Sequence, residues 1–81
     1  MHGKITKNFL TAWAMTYGTQ WVEWNEAIKF KQAFLENYPE CSNIFHIREH
    51  ILPRGYMDVK RNSRHFQEQV RLNKEKYDGI S

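Results

Sequence analysis

Near the start of the chain, apolar side chains recur every four residues. Ile5, Phe9, Trp13 and Tyr17 form a stripe that Leu10 and Ala14 widen, the period of a helix with one buried face. The spacing predicts a helix over Ile5–Tyr17. Gly18, just past its end, is the residue best able to take a left-handed stop. Thr19 is a suitable N-cap for a second helix, Gln20 to about Asn37. Placed at about 100° per residue, Trp21, Trp24, Ala27, Ile28, Phe30, Phe34, Leu35 and Tyr38 cover half the circumference. Gln32, Asn25, Glu36, Lys29, Glu26 and Asn37 take most of the other half, together with Val22 and Ala33. An arc this wide faces two neighbours rather than one, and Pro39 ends the helix.

Asn43–Leu52 fits two periods. As a strand, Phe45, Ile47 and Ile51 share a face with Asn43 and Glu49. As a helix, Ile44, Phe45, Ile47, Ile51 and Leu52 fall within about 160°, with only Arg48 intruding. Ser42 can cap the helix and Pro53 can stop it, and the helix is favoured. Arg54-Gly55 makes a turn, and Tyr56–Lys60 alternates as a short strand or extended arm would. Asn62 or Ser63 can cap a last helix running to about Tyr77, with Gly79 at its stop. Phe66, Val70 and Tyr77 form a narrow stripe on that helix, beside Asn73. These elements predict a mainly α fold: one small three- to four-helix domain over residues 1–81, with a short extended or wing-like segment near Tyr56–Lys60.

Size changes the picture little, since 81 residues make one domain. With one cysteine, Cys41, no internal disulfide can form. The twelve aromatic residues are the natural source of a core, because each buries a large area. The lone thiol, the lack of an N-terminal apolar run and the lack of any stretch near the roughly 20 apolar residues of a membrane span predict a reducing, cytoplasmic setting with no membrane contact.

Charge changes it more. From Met1 to Pro53, five cations (Lys4, Lys7, Lys29, Lys31, Arg48) balance five carboxylates (Glu23, Glu26, Glu36, Glu40, Glu49). From Arg54 to Ser81, seven cations stand against four carboxylates, so the whole excess of +3 lies in this segment. Arg54, Lys60, Arg61 and Arg64 lie close in sequence, with Tyr56 and Asn62 among them. On a helix Arg71 would fall beside Arg64. Arginine forks match phosphates and guanine edges, and Tyr and Asn add contacts. Three helices, a turn and an extended piece also suit a helix-turn-helix or winged variant. Against this, Glu68 and Glu75 share the predicted face and weaken its field.

Other candidate chemistry is sparse. His46-Ile47-Arg48-Glu49-His50 has the H-x-x-E-H spacing of the inverted zincins, in which two histidines bind zinc and the glutamate activates water. Those proteases are much larger and need a further acidic ligand far downstream. Only a short segment follows His50 here, so the motif reads as a solvated helix face. Cys41, His46 and His50, with His65 or Glu49, could be assembled into a metal set. Structural zinc usually takes two or more thiolates, so no metal or other cofactor is expected. No Gly-rich phosphate loop and no nucleophile constellation is present, and the chain is read as not an enzyme.

The favoured functional reading is a non-catalytic regulatory or accessory protein contacting nucleic acid through Arg54, Tyr56, Lys60, Arg61, Arg64 and Arg71. The alternative is a small adaptor or inhibitor that docks on a larger protein through exposed aromatics and the Phe66, Val70 and Tyr77 stripe. That stripe could also pair with a second copy, giving a homodimer held by the C-terminal helix. One observation separates the two readings. A continuous basic surface favours nucleic acid, whereas basic side chains paired off with carboxylates favour a protein partner.

Overall fold

The computed structural model describes residues 2–41, 45–62 and 67–80. Among the described residues, three α-helices and short helical turns accompany a small antiparallel sheet, with the first two helices packed against the third strand, so the fold is mainly helical. Helix α1 runs His2–Tyr17, strand β1 is Val22–Glu23, and helix α2 is Trp24–Leu35. A 3-10 turn at Pro39–Cys41, a π-helical turn at Ile47–Ile51 and a 3-10 turn at Leu52–Arg54 lead into β2, Met57–Asn62. Strand β3, Gln67–Leu72, and helix α3, Lys74–Ile80, complete the chain. The sheet order is β1-β3-β2, antiparallel throughout.

The first helix forms as its period predicts. Ile5, Phe9, Leu10 and Trp13 are buried, and Gly18 closes it at φ +62°, its N–H donating to the Ala14 carbonyl at 3.0 Å. Phe9 is the hub of an aromatic core. Its ring centroid lies 5.6 Å from Phe30, 5.3 Å from Phe34 and 5.4 Å from Phe45, all edge-to-face, the arrangement the ring quadrupole favours. This one residue joins α1, α2 and the segment leading into the π-helical turn.

The second helix begins four residues later than its pattern implies. Thr19 lies in a turn, and Glu23 precedes the first helical residue without a side-chain cap. Sheet pairing takes the intervening residues: Val22 faces Val70 and Glu23 faces Gln69. Val22 falls on the polar half of the helical wheel because it is not helical. In the strand it is buried. The favoured helix over Asn43–Leu52 forms only in part, as a wider π-helical turn at Ile47–Ile51 followed by a tighter 3-10 turn at Leu52–Arg54. Phe45, Ile47 and Ile51 are all buried, as either period requires, while Ser42, Asn43 and Ile44 lie outside the described residues. Gly55 makes the expected turn at φ +78°.

The largest correction concerns the C-terminal third. Gln67–Leu72 is a strand, not part of a helix, and pairs with β2 from Met57↔Leu72 to Asn62↔Gln67. Val70 and Leu72 alternate with Gln69 and Arg71, and both apolar residues are buried against the helices. A helical wheel sends Leu72 to the polar side and so leaves it unused; a strand buries it beside Met57. The last helix starts only at Lys74 and runs through Gly79 to Ile80. Asn73 caps it, its Oδ1 accepting from the Lys76 N–H at 3.1 Å.

Candidate functional site

Sheet pleating sorts the polar residues onto two surfaces. On the face away from the helices, Trp21 stands next to Arg71, and Arg71 stands opposite Asp58. The Arg71 guanidinium lies 4.6 Å from the Trp21 ring centroid and its Nε donates to Asp58 Oδ2 at 3.2 Å. The Lys60 ammonium reaches the same ring from 5.5 Å. Asn73 donates to the second Asp58 oxygen at 3.2 Å. In the next row Gln69 donates to Glu23 at 2.9 Å.

At one rim of the helix-facing side, Arg48 of the π-helical turn lies over Trp24, 4.3 Å from the ring centroid, and binds Glu68 at 3.1 Å. Arg61 approaches the same carboxylate at 3.7 Å, with its side chain 74% exposed.

The two tryptophans meet at an open cleft of about 740 Å³ that runs along β1. Trp21, Trp24, Tyr17, Glu26, Arg48 and Glu68 line most of it. The Tyr17 hydroxyl donates to Glu26 Oε2 at 2.9 Å. Burial raises its pKa above the ordinary value, and the Glu26 carboxylate adds to the shift by hydrogen bond and by charge. The ionisable lining is three carboxylates (Glu23, Glu26, Glu68) against two cations (Lys29, Arg48). Each carboxylate is engaged by a neighbouring side chain: Glu23 by Gln69, Glu26 by Tyr17, Glu68 by Arg48.

The expected basic surface is therefore dispersed. Arg54 turns back to donate to the His50 carbonyl at 3.1 Å. Tyr56 is half-buried, packed against the core, and its carbonyl accepts from Asn73 at 2.9 Å. Lys60 and Arg71 share Trp21, Arg61 is near Glu68, and Arg64 lies outside the described residues. The predicted pairing of Arg64 with Arg71 rests on a shared helix face that β3 replaces.

The Phe66, Val70 and Tyr77 stripe does not exist as a helix face either. Val70 is at the sheet centre with no exposure. Tyr77, on α3, donates to Thr11 Oγ1 on α1 at 3.2 Å. Phe66 lies outside the described residues. A homodimer through this stripe loses its basis, because Val70 is already covered by its own chain.

Cys41, His46 and His50 do not form a metal set: among the described residues, no three of His, Cys, Asp or Glu are grouped as ligands would be. The His50 ring stacks on Phe45 with centroids 5.7 Å apart, and its Nδ1 lies 3.2 Å from the His46 carbonyl oxygen. Among the described residues no helix is long and apolar enough to cross a membrane.

The part of the site that sequence reasoning misses is the arginine–tryptophan pairing. The helical wheel sets Trp21 and Trp24 on one helix face and makes Arg48 an intrusion on another. The strand alternation of Glu68, Val70 and Leu72 is the available signal, since it places Arg71 and Trp21 on one surface. Comparison with family models, curated proteins and solved structures finds no match to this chain.

Proposed function

We propose that the chain is a non-catalytic protein-binding module, of adaptor or inhibitor type, that receives a segment of a larger protein in the cleft along β1. The observation that carries this reading is the lining itself. Two tryptophans, each overlain by an arginine, stand beside carboxylates in one open cleft. Trp, Tyr and Arg dominate interface hot spots because they offer large area with a polar handle. The chemistry favours a segment that brings an apolar anchor for the tryptophans and mixed charge for the rim.

The same lining argues against a phosphate backbone. Three carboxylates outnumber two cations, and Arg48, Arg61 and Arg71 each face a carboxylate of their own chain. Nucleic-acid affinity depends on cations available to neutralise phosphates. The nucleic-acid reading is therefore the less supported of the two.

The test is selection of peptides from a random library on the wild-type protein, with counter-selection on Arg48→Glu and Trp24→Ser variants shown to fold. Recovery of sequences that bind the wild type, ignore both variants and shift its tryptophan fluorescence supports the cleft. Failure to recover any, together with duplex DNA binding that weakens steeply with salt, would transfer the function to nucleic acid.

A further inference from the structure

We propose that two copies of this chain pair through the outer edge of β2, antiparallel about a two-fold axis at Val59, so that the two sheets join into one. The surface lies on the sheet edge opposite β1 and is independent of the cleft.

The argument begins with one backbone bond. The Asn73 N–H donates to the Tyr56 carbonyl at 2.9 Å, so residue 56 points toward β3. The register from Met57↔Leu72 to Asn62↔Gln67 is unbroken, and in an antiparallel ladder successive residues direct their N–H and C=O to opposite sides. Asp58 and Lys60 therefore bond to β3, while Met57, Val59 and Arg61 direct theirs outward. Among the described residues no hydrogen bond meets these outward groups of Val59 or Arg61.

Exposure narrows the contact. Met57 is 3% exposed and its outward side is covered, whereas Val59 is 45% exposed. Among the described residues, Val59 and Met15 are the two exposed large apolar side chains, and Val59 alone of the two sits on a sheet edge. The pairing is thus short and centred on Val59, where each copy's N–H donates to the other's carbonyl.

Charge selects the register. Sheet edges are commonly guarded by charged residues, and Lys60 and Arg61 are exposed here. With the axis at Val59 the guard is ineffective. Residue 58 then faces residue 60 of the second copy, so Asp58 meets Lys60 twice by symmetry, and Val59 meets Val59. Centring the axis on Asp58, Lys60 or Arg61 instead sets like charges face to face, which is unfavourable. Among the described residues Lys60 has no carboxylate partner within its own chain; its ammonium lies 5.5 Å from the Trp21 ring centroid, and pairing exchanges that contact for the second copy's Asp58. Asp58 keeps Arg71 on its other flank.

The experiment is disulfide trapping in a Cys41→Ser background. In a hydrogen-bonded antiparallel pair the facing Cα atoms are about 5.5 Å apart, within the range a disulfide spans. Val59→Cys should form covalent dimer at least about tenfold faster than the more exposed Met15→Cys, because pairing raises the effective thiol concentration. Rates are normalised to each thiol's reaction with a small disulfide, which removes any effect of Lys60 on thiol reactivity. Adding Lys60→Glu should slow trapping, since the new carboxylate would face Asp58 of the second copy. Equal normalised rates for Val59→Cys and Met15→Cys overturn the proposal, as does trapping that Lys60→Glu leaves unchanged.

Discussion

The Arg71 guanidinium is held between the Trp21 ring, 4.6 Å from its centroid, and the Asp58 carboxylate, 3.2 Å from its Nε. The three residues come from the approach to β1, from β3 and from β2, so one side chain ties the full width of the sheet. Asp58 extends the tie to Asn73, which caps α3. Both charged groups are substantially exposed, at 44% for Arg71 and 38% for Asp58, so solvent screens the ion pair and the stacking carries much of the value.

Arg71→Ala is expected to lower unfolding free energy by about 1–2 kcal/mol, the sum of a weak ion pair and a cation–π contact. Arg71→Lys should recover only part, because an ammonium neither stacks nor forks as a guanidinium does. A urea double-mutant cycle with Trp21→Leu should return a coupling of roughly 0.5–1 kcal/mol. Zero coupling would reduce the stack to mere proximity.

Val70→Ala should cost about 2 kcal/mol, from the lost methyl groups and the cavity left behind. Val70→Glu should unfold the chain, since a carboxylate would be buried without a partner. Both follow from Val70 lying at the sheet centre with no exposure. A folded, monomeric Val70→Glu protein by circular dichroism and sedimentation would restore the exposed-stripe reading.

Val70 also shows where sequence stops being informative. The apolar set is legible almost residue by residue: Ile5, Phe9, Trp13, Ala27, Leu35, Phe45, Ile47, Ile51 and Val70 are all buried. The period is legible only where the stripe is long. In α1 successive turns repeat the pattern, whereas around Val70 a few apolar residues fit a helix and a strand about equally, and a long-range partner decides. That partner is Val59 on one side and Val22 on the other, each distant or ambiguous in sequence. The same gap hides the site. Trp21 and Arg71 are far apart along the chain, and only the β1–β3 register brings them together.

Phe9→Ala should be the most damaging single truncation in the aromatic core, at about 3–5 kcal/mol. Its ring meets Phe30, Phe34 and Phe45 edge-to-face, so removal loosens three segments at once. Phe9→Leu should lose less, because most of the volume is kept. Chemical denaturation is the measurement. A Phe9→Ala loss below that of Val70→Ala would contradict its place as the hub.

Gly55→Ala should cost about 1–2 kcal/mol, the penalty of a Cβ in the left-handed region. Space is not the obstacle: the nearest atom to an added Cβ is Lys76 Cε at 3.6 Å. Gly55→Asn should therefore cost less than Gly55→Ala, since asparagine tolerates this conformation. Equal losses for the two variants would point to a steric rather than a conformational origin.

The cleft carries a pH signature through Tyr17. Its phenol is raised above its ordinary value of 10.0, first by burial and then by the hydrogen bond to and charge of Glu26. In the unfolded chain the phenol ionises near its usual value of about 10. The folded state therefore holds this proton more tightly. The associated stability is fully present below the unfolded pKa and is lost as pH rises through the folded one. Wild-type protein should lose stability toward urea on the alkaline side of that window. Tyr17→Phe should lose less over the same range, and the difference isolates Tyr17 from the other tyrosines. Glu26→Gln should lower the Tyr17 pKa without returning it to the ordinary value, because burial is the larger cause. Phenolate absorbance gives the pKa directly, and denaturation across the window gives its consequence. Identical alkaline losses in wild type and Tyr17→Phe would show that the Tyr17–Glu26 contact at the cleft wall does not persist in solution.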